Sequence, residues 1–422
     1  MRVVALDAHR VFCEVAVAEG GSVRGAGRVA TTPEALERFA RELGAETLVA
    51  LESTANAVGI ARVIEPFVER VMIVDARSLH GGTPPRAKTD GIDARTLARV
   101  VASGMANEVW RPDEAARRRR RLTSRRQQLV RQRTREKNQL HAVLHRNLLS
   151  PPATDVFGVR GRRWLGTLEL ALDERLTLEG CLRQVDVLDG EIGRVEAAIA
   201  AEVLGSPQMR LLLTIQGVNA VTACALVGAI GPIERFPSAR HLVAYLGLDP
   251  RVAQSGVEPA RHGRISKQGP SETRHVLVEA AWHLARSTGP LRAFHRRVAA
   301  RRGANIATVA VARKLAVICF HMLQRGESYA FGRPSLTREK LRRLELMSGA
   351  SRQPHGKHHP ERIFAPRAQH DLEREVALQA ETAYLRLMSD WQKAPSAGAS
   401  ATGGRASSGR QAAAARQTSK PQ

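Results

Sequence analysis

Apolar residues in the first hundred positions fall into short runs punctuated by Gly, Pro and acids. Residues 2–8 (RVVALDA) form an unbroken apolar run closing on an acid, the pattern of a strand buried on both faces. Residues 11–18 (VFCEVAVA) alternate, and Gly20-Gly21 supplies a hairpin turn into SVRGAGRVA. Thr32-Pro33 opens a helix over PEALERFAREL, which Gly44 ends. TLVALEST (47–54) is a second buried strand ending in an acid; a helix around 57–66 and a strand at 70–76 (RVMIVDA) follow. This order predicts an α/β layer with a mixed sheet. GGTPPRAK (81–88) reads as a loop, and TDGIDARTLARVVASG as a helix with Thr89 or Asp90 at its N-cap.

From Arg111 to about Leu149 the pattern becomes helical, with Leu122, Leu129, Leu140 and Leu144 on one narrow stripe. Pro151-Pro152 breaks it. A second long helix is expected over 168–204, carrying Leu176, Leu178, Leu182, Val185, Leu188, Ile192, Val195 and Ile199. The two suit an antiparallel hairpin or a coiled coil. Residues 205–348 read as a mostly helical domain with a Gly-rich turn, IQGVN (215–219). Beyond Ser348 the composition shifts to Ala, Ser, Gly, Gln and Arg, which predicts a disordered basic tail over 349–422. The expected organisation is therefore 1–105, 106–204, 205–348 and 349–422.

Charge adds a partner to this picture. The 422 residues carry 65 Lys+Arg against 41 Asp+Glu, a formal charge of +24. A polyanion is the natural partner, nucleic acid or an anionic membrane, and charge alone does not choose. Much of the surplus lies in RRRRRLTSRRQQLVRQRTREK, where Arg118, Arg125, Arg126, Arg133 and Lys137 are candidate nucleic-acid contacts or a solvated helix face. Aromatics make up only 4%, which argues against single-strand binding by many stacking platforms. The four cysteines show no CxxC spacing, so neither a zinc site nor a disulfide framework is indicated. No signal peptide and no long apolar span are apparent, so a cytoplasmic location without membrane is expected.

The acids suggest chemistry. Asp7 and Glu52 end apolar strands, the edge where open α/β sheets place ligands. Asp90 and Asp93 share one face at a helix start. Four converging carboxylates require cations, and hard Mg2+ or Mn2+ suits oxygen ligands. Each acid is also explicable as a turn or capping residue. In the C-terminal region Ser255-Gly256 is sterically open, and Arg251, Arg261, Arg264 and Lys267 could hold a phosphodiester. Ser255 is then a nucleophile or a phosphate-contacting loop residue. The turn in IQGVNAVTACALVGAIG resembles a helix-hairpin-helix, or is an ordinary helix–helix turn. The histidines of HGKHHP (355–360) point only weakly to metal.

LDAHR, ALEST and KTDGIDARTLA, followed by IQGVNAVTACALVGAIG, FPSARHLVAYLGLDP and QSGVEPARHGRISKQG, resemble the insertion-sequence 110 family of DEDD transposases, related to Piv-type DNA invertases. The resemblance spans about residues 1–330. It implies a RuvC-like (ribonuclease H-type) fold for residues 1 to about 105, with Asp7, Glu52, Asp90 and Asp93 holding Mg2+. It implies that Ser255 joins covalently to DNA during strand exchange. It further implies an element-encoded guide RNA that pairs with target and donor DNA, and a homo-oligomer, dimer or tetramer, in which one subunit's RuvC-like domain meets another's serine domain. Two departures stand out: Gln254 precedes Ser255 where a second serine is common, and Ser266 replaces a common threonine, creating a nearby competitor. The expectation is a transposase working through a phosphoserine. The alternatives are a RuvC-like nuclease or junction resolvase that hydrolyses with water, and a non-catalytic packaging protein indifferent to the four acids.

Overall fold

The computed structural model describes residues 2–75, 79, 89–256, 260–350 and 366–393. The chain divides into two compact units, Met1–Arg117 and Arg118–Gln422.

In the first unit, strands β1 (Arg2–Ala8), β2 (Phe12–Glu19) and β3 (Ser22–Ala30) form an antiparallel meander, helix α1 (Pro33–Leu43) follows, and β4 (Thr47–Glu52) returns parallel to β1. Helix α2 (Ala57–Ile64) leads to β5 (Arg70–Val74), parallel to β4, and helix α3 spans Asp90–Ala102. The sheet order is β3-β2-β1-β4-β5, a mixed sheet as the strand and helix order predicted. Thr32 caps α1, its side chain accepting from the Ala35 amide, and Gly20 and Gly21 take positive φ in the hairpin. The loop expected at 81–88 lies outside the described residues.

Strand alternation sorts the core. Val4, Leu6, Val49 and Leu51 face α1 and α2, joined by Leu36, Ala40, Ile60 and Ile64. Val3, Ala5, Leu48 and Ala50 face α3, joined by Ala94, Leu97, Ala98 and Val101. Because strand side chains repeat with period two, Asp7 continues the Val3–Ala5 row and Glu52 the Leu48–Ala50 row. Both acids therefore belong to the sheet face that α3 covers.

The second unit is mostly helical. Helices α4 (Glu114–Arg146), α5 (Val159–Thr167) and α6 (Leu172–Leu204) come first, α4 starting before the division between the units. Ion pairs Arg118–Glu202, Arg126–Glu196, Arg133–Asp189 and Arg146–Glu174 fix α4 and α6 as an antiparallel pair. Leu140, Val143, Leu144, Val156, Leu165, Leu178 and Cys181 close the end nearest α5. At the other end Ile199, Ala200 and Val203 enter the main core of the second unit.

That core continues through α7 (Pro207–Leu212), α8 (Ala220–Ile230) and α9 (Ala239–Tyr245), then the two-stranded hairpin β6 (Pro250–Ala253) and β7 (Arg261–Ile265), and α10 (Ser271–Arg286), α11 (Pro290–Arg302), α12 (Ala304–Arg325) and α13 (Pro334–Met347). By length and composition α12 could cross a membrane, unlike the expectation from sequence, but Ala307, Val311, Leu315, Cys319 and Phe320 are buried in this core. All four cysteines are free and buried.

Three of the expected divisions differ from what the structure describes. The segments expected at 106–204 and 205–348 fall together in one unit from Arg118, because α6 contributes to the same core as α8 and α12. The boundary expected at 105 moves to 117, because Val109 packs on the sheet's core and the Val109 amide donates to the Ile73 carbonyl. The tail expected over 349–422 contains helix α14 (Arg367–Lys393). Glu381, 4% exposed, accepts from Arg292 and from the Gly289 amide on α11 and its N-cap, and Ala377 is buried. Residues 367–393 thus carry a buried face that tail composition hid. The rest of the expected tail beyond residue 350, including the histidines at 355–360, lies outside the described residues.

Candidate active site

The Leu6–Leu51 pair of the parallel β1–β4 ladder brings Asp7 and Glu52 side by side at the carboxyl edge of the sheet. Thr89, not Asp90, caps α3, its hydroxyl accepting from the Ile92 amide. That leaves the Asp90 and Asp93 carboxylates free of capping duty in the first helical turn. Asp7 is 8% exposed. Burial pushes its carboxyl above the ordinary value and Asp93 and Asp90 push it the same way, while His9 opposes them.

His9 is the residue that the sequence reading missed. Its Nε2 lies 3.2 Å from Asp7 Oδ2 and 3.4 Å from Asp90 Oδ2. The signal was present in LDAHR: two residues past a strand-end acid, the side chain returns to the same side of the sheet. The His9 carbonyl accepts from Asn56 Nδ2 at 3.0 Å and from Thr31 Oγ1, and its ring packs on Phe12 at 5.1 Å between centroids. These contacts fix the loop between β1 and β2.

Asp7, His9 and Asp90 place donor atoms within 4.8 Å of one another, a set that could hold a metal ion. Asp93 Oδ1 is buried with no hydrogen-bond partner. An orphaned carboxylate oxygen beside a clustered acid pair is costly unless a cation completes it. The donor set, carboxylate oxygens with one imidazole nitrogen, therefore fits a divalent cation. Glu52 shares the edge and the face, but its carboxylate is not among the atoms within 4.8 Å.

In the second unit Ser255 and Gly256 are exposed beyond the end of β6, with Gly256 at φ +56°. The competing Ser266 is held: its hydroxyl donates to Asp249 Oδ1 at 2.6 Å. Arg261, Arg264 and Lys267 are exposed on and after β7, Lys267 in the left-handed region at φ +56°. The α4 cations divide. Arg118, Arg126 and Arg133 pair with acids of α6, Lys137 lies 4.5 Å over the Phe157 ring, and Arg125 is exposed. Much of the basic run thus holds the helical pair together, which the sequence reading did not anticipate.

The sequence profile of a DEDD-type transposase domain matches residues 4–147, and the profile described as the transposase IS116/IS110/IS902 family matches residues 209–296. The chain belongs to the insertion-sequence 110 family of transposases. It is 27% identical over 291 residues to the transposase for insertion sequence element IS1328 of Yersinia enterocolitica, covering 67% of this chain and 85% of that protein. It is 32% identical over 148 residues to the transposase for insertion sequence element IS1111A of Coxiella burnetii, covering 34% of this chain and 40% of the relative. The pilin gene-inverting protein of Moraxella bovis is 41% identical over 71 residues, 17% of this chain and 22% of that one. The carboxylate cluster lies within the first matched segment of this transposase family and Ser255 within the second.

Proposed function

We propose that the chain is a DNA transposase and recombinase acting by metal-assisted transesterification, with Asp7, Glu52, Asp90 and Asp93 as metal ligands and Ser255 as nucleophile. The observation that carries this reading is the Asp7–His9–Asp90 cluster beside the orphaned Asp93 oxygen. The sheet order β3-β2-β1-β4-β5, with β1 to β3 antiparallel and β4 and β5 parallel to β1, supports a RuvC-like assignment of the N-terminal unit. The names of the relatives, transposases and a gene-inverting protein, support strand exchange as the outcome.

Mg2+ or Mn2+, when bound, would neutralise the scissile phosphate and favour ionisation of the attacking oxygen. Asp7, Glu52, Asp90 and Asp93 would supply its oxygen donors. Arg251, Arg261, Arg264 and Lys267 hold the DNA backbone near the serine. Ser255 Oγ bonds to phosphorus as the bond to the 3′ oxygen breaks, and that oxygen leaves as a hydroxyl carrying a proton. A 3′-hydroxyl of the partner strand then attacks the phosphoserine and releases Ser255 with its proton restored. One phosphodiester is exchanged for another, so no nucleotide hydrolysis is needed. Under this reading the partners are double-stranded target and donor DNA, an element-encoded guide RNA, and further copies of the chain in a dimer or tetramer.

The test is capture of a covalent protein–DNA adduct from the full chain with its DNA and divalent metal. Wild type should form one, and Ser255→Ala and Asp7→Asn should not. An adduct with Ser255→Ala would overturn the nucleophile assignment. Cleavage by Ser255→Ala without an adduct would select hydrolysis by water instead.

A further inference from the structure

The turn between α7 and α8 contains a site unrelated to the carboxylate cluster. Three backbone carbonyls, of Leu213, Ile215 and Val218, converge on Lys340 Nζ at 2.8, 2.6 and 2.9 Å. The three residues that supply them are fully buried. An ammonium has three N–H donors and no acceptor, so the three oxygens satisfy it completely. A neutral amine would leave one of them unpaired. Burial pushes Lys340 down to about 8, which still leaves it charged at neutral pH.

The oxygens are held in place by contacts other than the lysine. The Ile215 amide donates to the Leu212 carbonyl and the Val218 amide to the Ile215 carbonyl, which fixes two successive tight turns. Gly217 packs against α10 so closely that a Cβ would sit 2.5 Å from the Ala280 carbonyl. On another side the Tyr329 amide donates to Thr214 Oγ1, and Gln216 Nε2 donates to the Phe331 carbonyl. The cage is therefore preorganised by α10 and by residues 329–331, while α13 delivers only the charge. The turn lies inside the matched segment 209–296 and Lys340 lies beyond it, so the cation comes from a later part of the chain.

We propose that Lys340 Nζ is a tethered monovalent cation, filling a carbonyl site in the turn 213–218 that takes ammonium or potassium from solution once the side chain is removed. Hard, neutral carbonyl oxygens recognise a single positive charge without an anionic partner, which is the chemistry of monovalent-cation binding. Truncation to alanine leaves the oxygens in position and vacates room for the ion and a water. Methionine keeps the side-chain length and fills that room with a thioether that donates nothing.

The test uses the full chain and needs no assumption about its reaction. Thermal midpoints of wild type, Lys340→Ala and Lys340→Met are measured in ammonium, potassium, lithium and choline chloride at equal ionic strength. Wild type should have one midpoint in all four salts, and both variants should fall by several degrees. Lys340→Ala should recover about half or more of its loss in ammonium or potassium, saturably, and none in lithium or choline. Lys340→Met should recover nothing. If Lys340→Ala does not fold in choline, a cooperative transition that returns in ammonium is the same result. An alanine variant equally unstable or unfolded in all four salts would overturn the proposal, as would equal rescue of Lys340→Met or the same salt selectivity in wild type.

Discussion

Asp7→Asn is expected to make the metal-free protein more stable while removing its response to metal. The mutation exchanges a buried carboxylate for an amide of the same shape. Donor oxygens of Asp7 and Asp90 lie within 4.8 Å of each other. Two unit charges at that distance repel by roughly 1 kcal/mol at the dielectric constant of water and about 3.5 kcal/mol at an effective value near 20. Burial adds to the cost and His9 offsets part of it, since its Nε2 also reaches Asp90 and keeps that contact after the substitution. The sign against pH follows from the raised carboxyl. Above the unfolded value of 3.8 the folded protein binds more protons than the unfolded chain, so stability falls as pH rises from there through the raised folded value. The uncharged amide of Asp7→Asn escapes this fall, so the variant should gain roughly 1–3 kcal/mol at neutral pH and little below pH 4. Saturating Mn2+, at about a hundred times its dissociation constant, should stabilise wild type by about 2.7 kcal/mol and the variant far less. Denaturant unfolding in chelator and in Mn2+, at two pH values, measures all four quantities. A variant less stable than wild type in chelator, or one that gains as much from Mn2+, refutes the reasoning.

Other outcomes follow from single contacts. Gly217→Ala should cost about 1–3 kcal/mol in denaturant unfolding, because its Cβ would meet backbone of α10 at 2.5 Å and Leu284 at 2.9 Å. Glu381→Ala should release α14: it leaves the Arg292 guanidinium and the Gly289 amide without their acceptor, a loss of order 3 kcal/mol, read as faster hydrogen exchange over residues 367–390 with the core unchanged. Arg125→Ala should weaken duplex DNA binding and lower its salt dependence by about one unit of slope. Arg133→Ala should change binding less, since that side chain is engaged with Asp189, and should cost under about 1 kcal/mol of stability.

Local pattern by itself determined most of the N-terminal unit. The apolar run 2–8, the Gly20-Gly21 turn and the Thr32 cap each act within a few residues, so the strands, the hairpin and α1 could be read directly. The same period-two rule put Asp7 and Glu52 at strand ends. It did not say that α3 would cover their face, that Thr89 would do the capping, or that His9 would bridge Asp7 and Asp90, because those depend on which helix packs on which side. The basic run 117–137 was legible as charge. Which of its cations meet acids of α6 was decided by two helices lying antiparallel some 60 residues apart in sequence. The buried face of α14 escaped the composition because its one buried glutamate matters only against Arg292 and the Gly289 amide, far upstream in the chain. Likewise Lys340 reads as one more surface lysine until the fold brings it to three carbonyls more than 120 residues upstream. Sequence determines what a residue can do with its neighbours along the chain; the tertiary structure decides which distant charges and oxygens it must satisfy once water is gone.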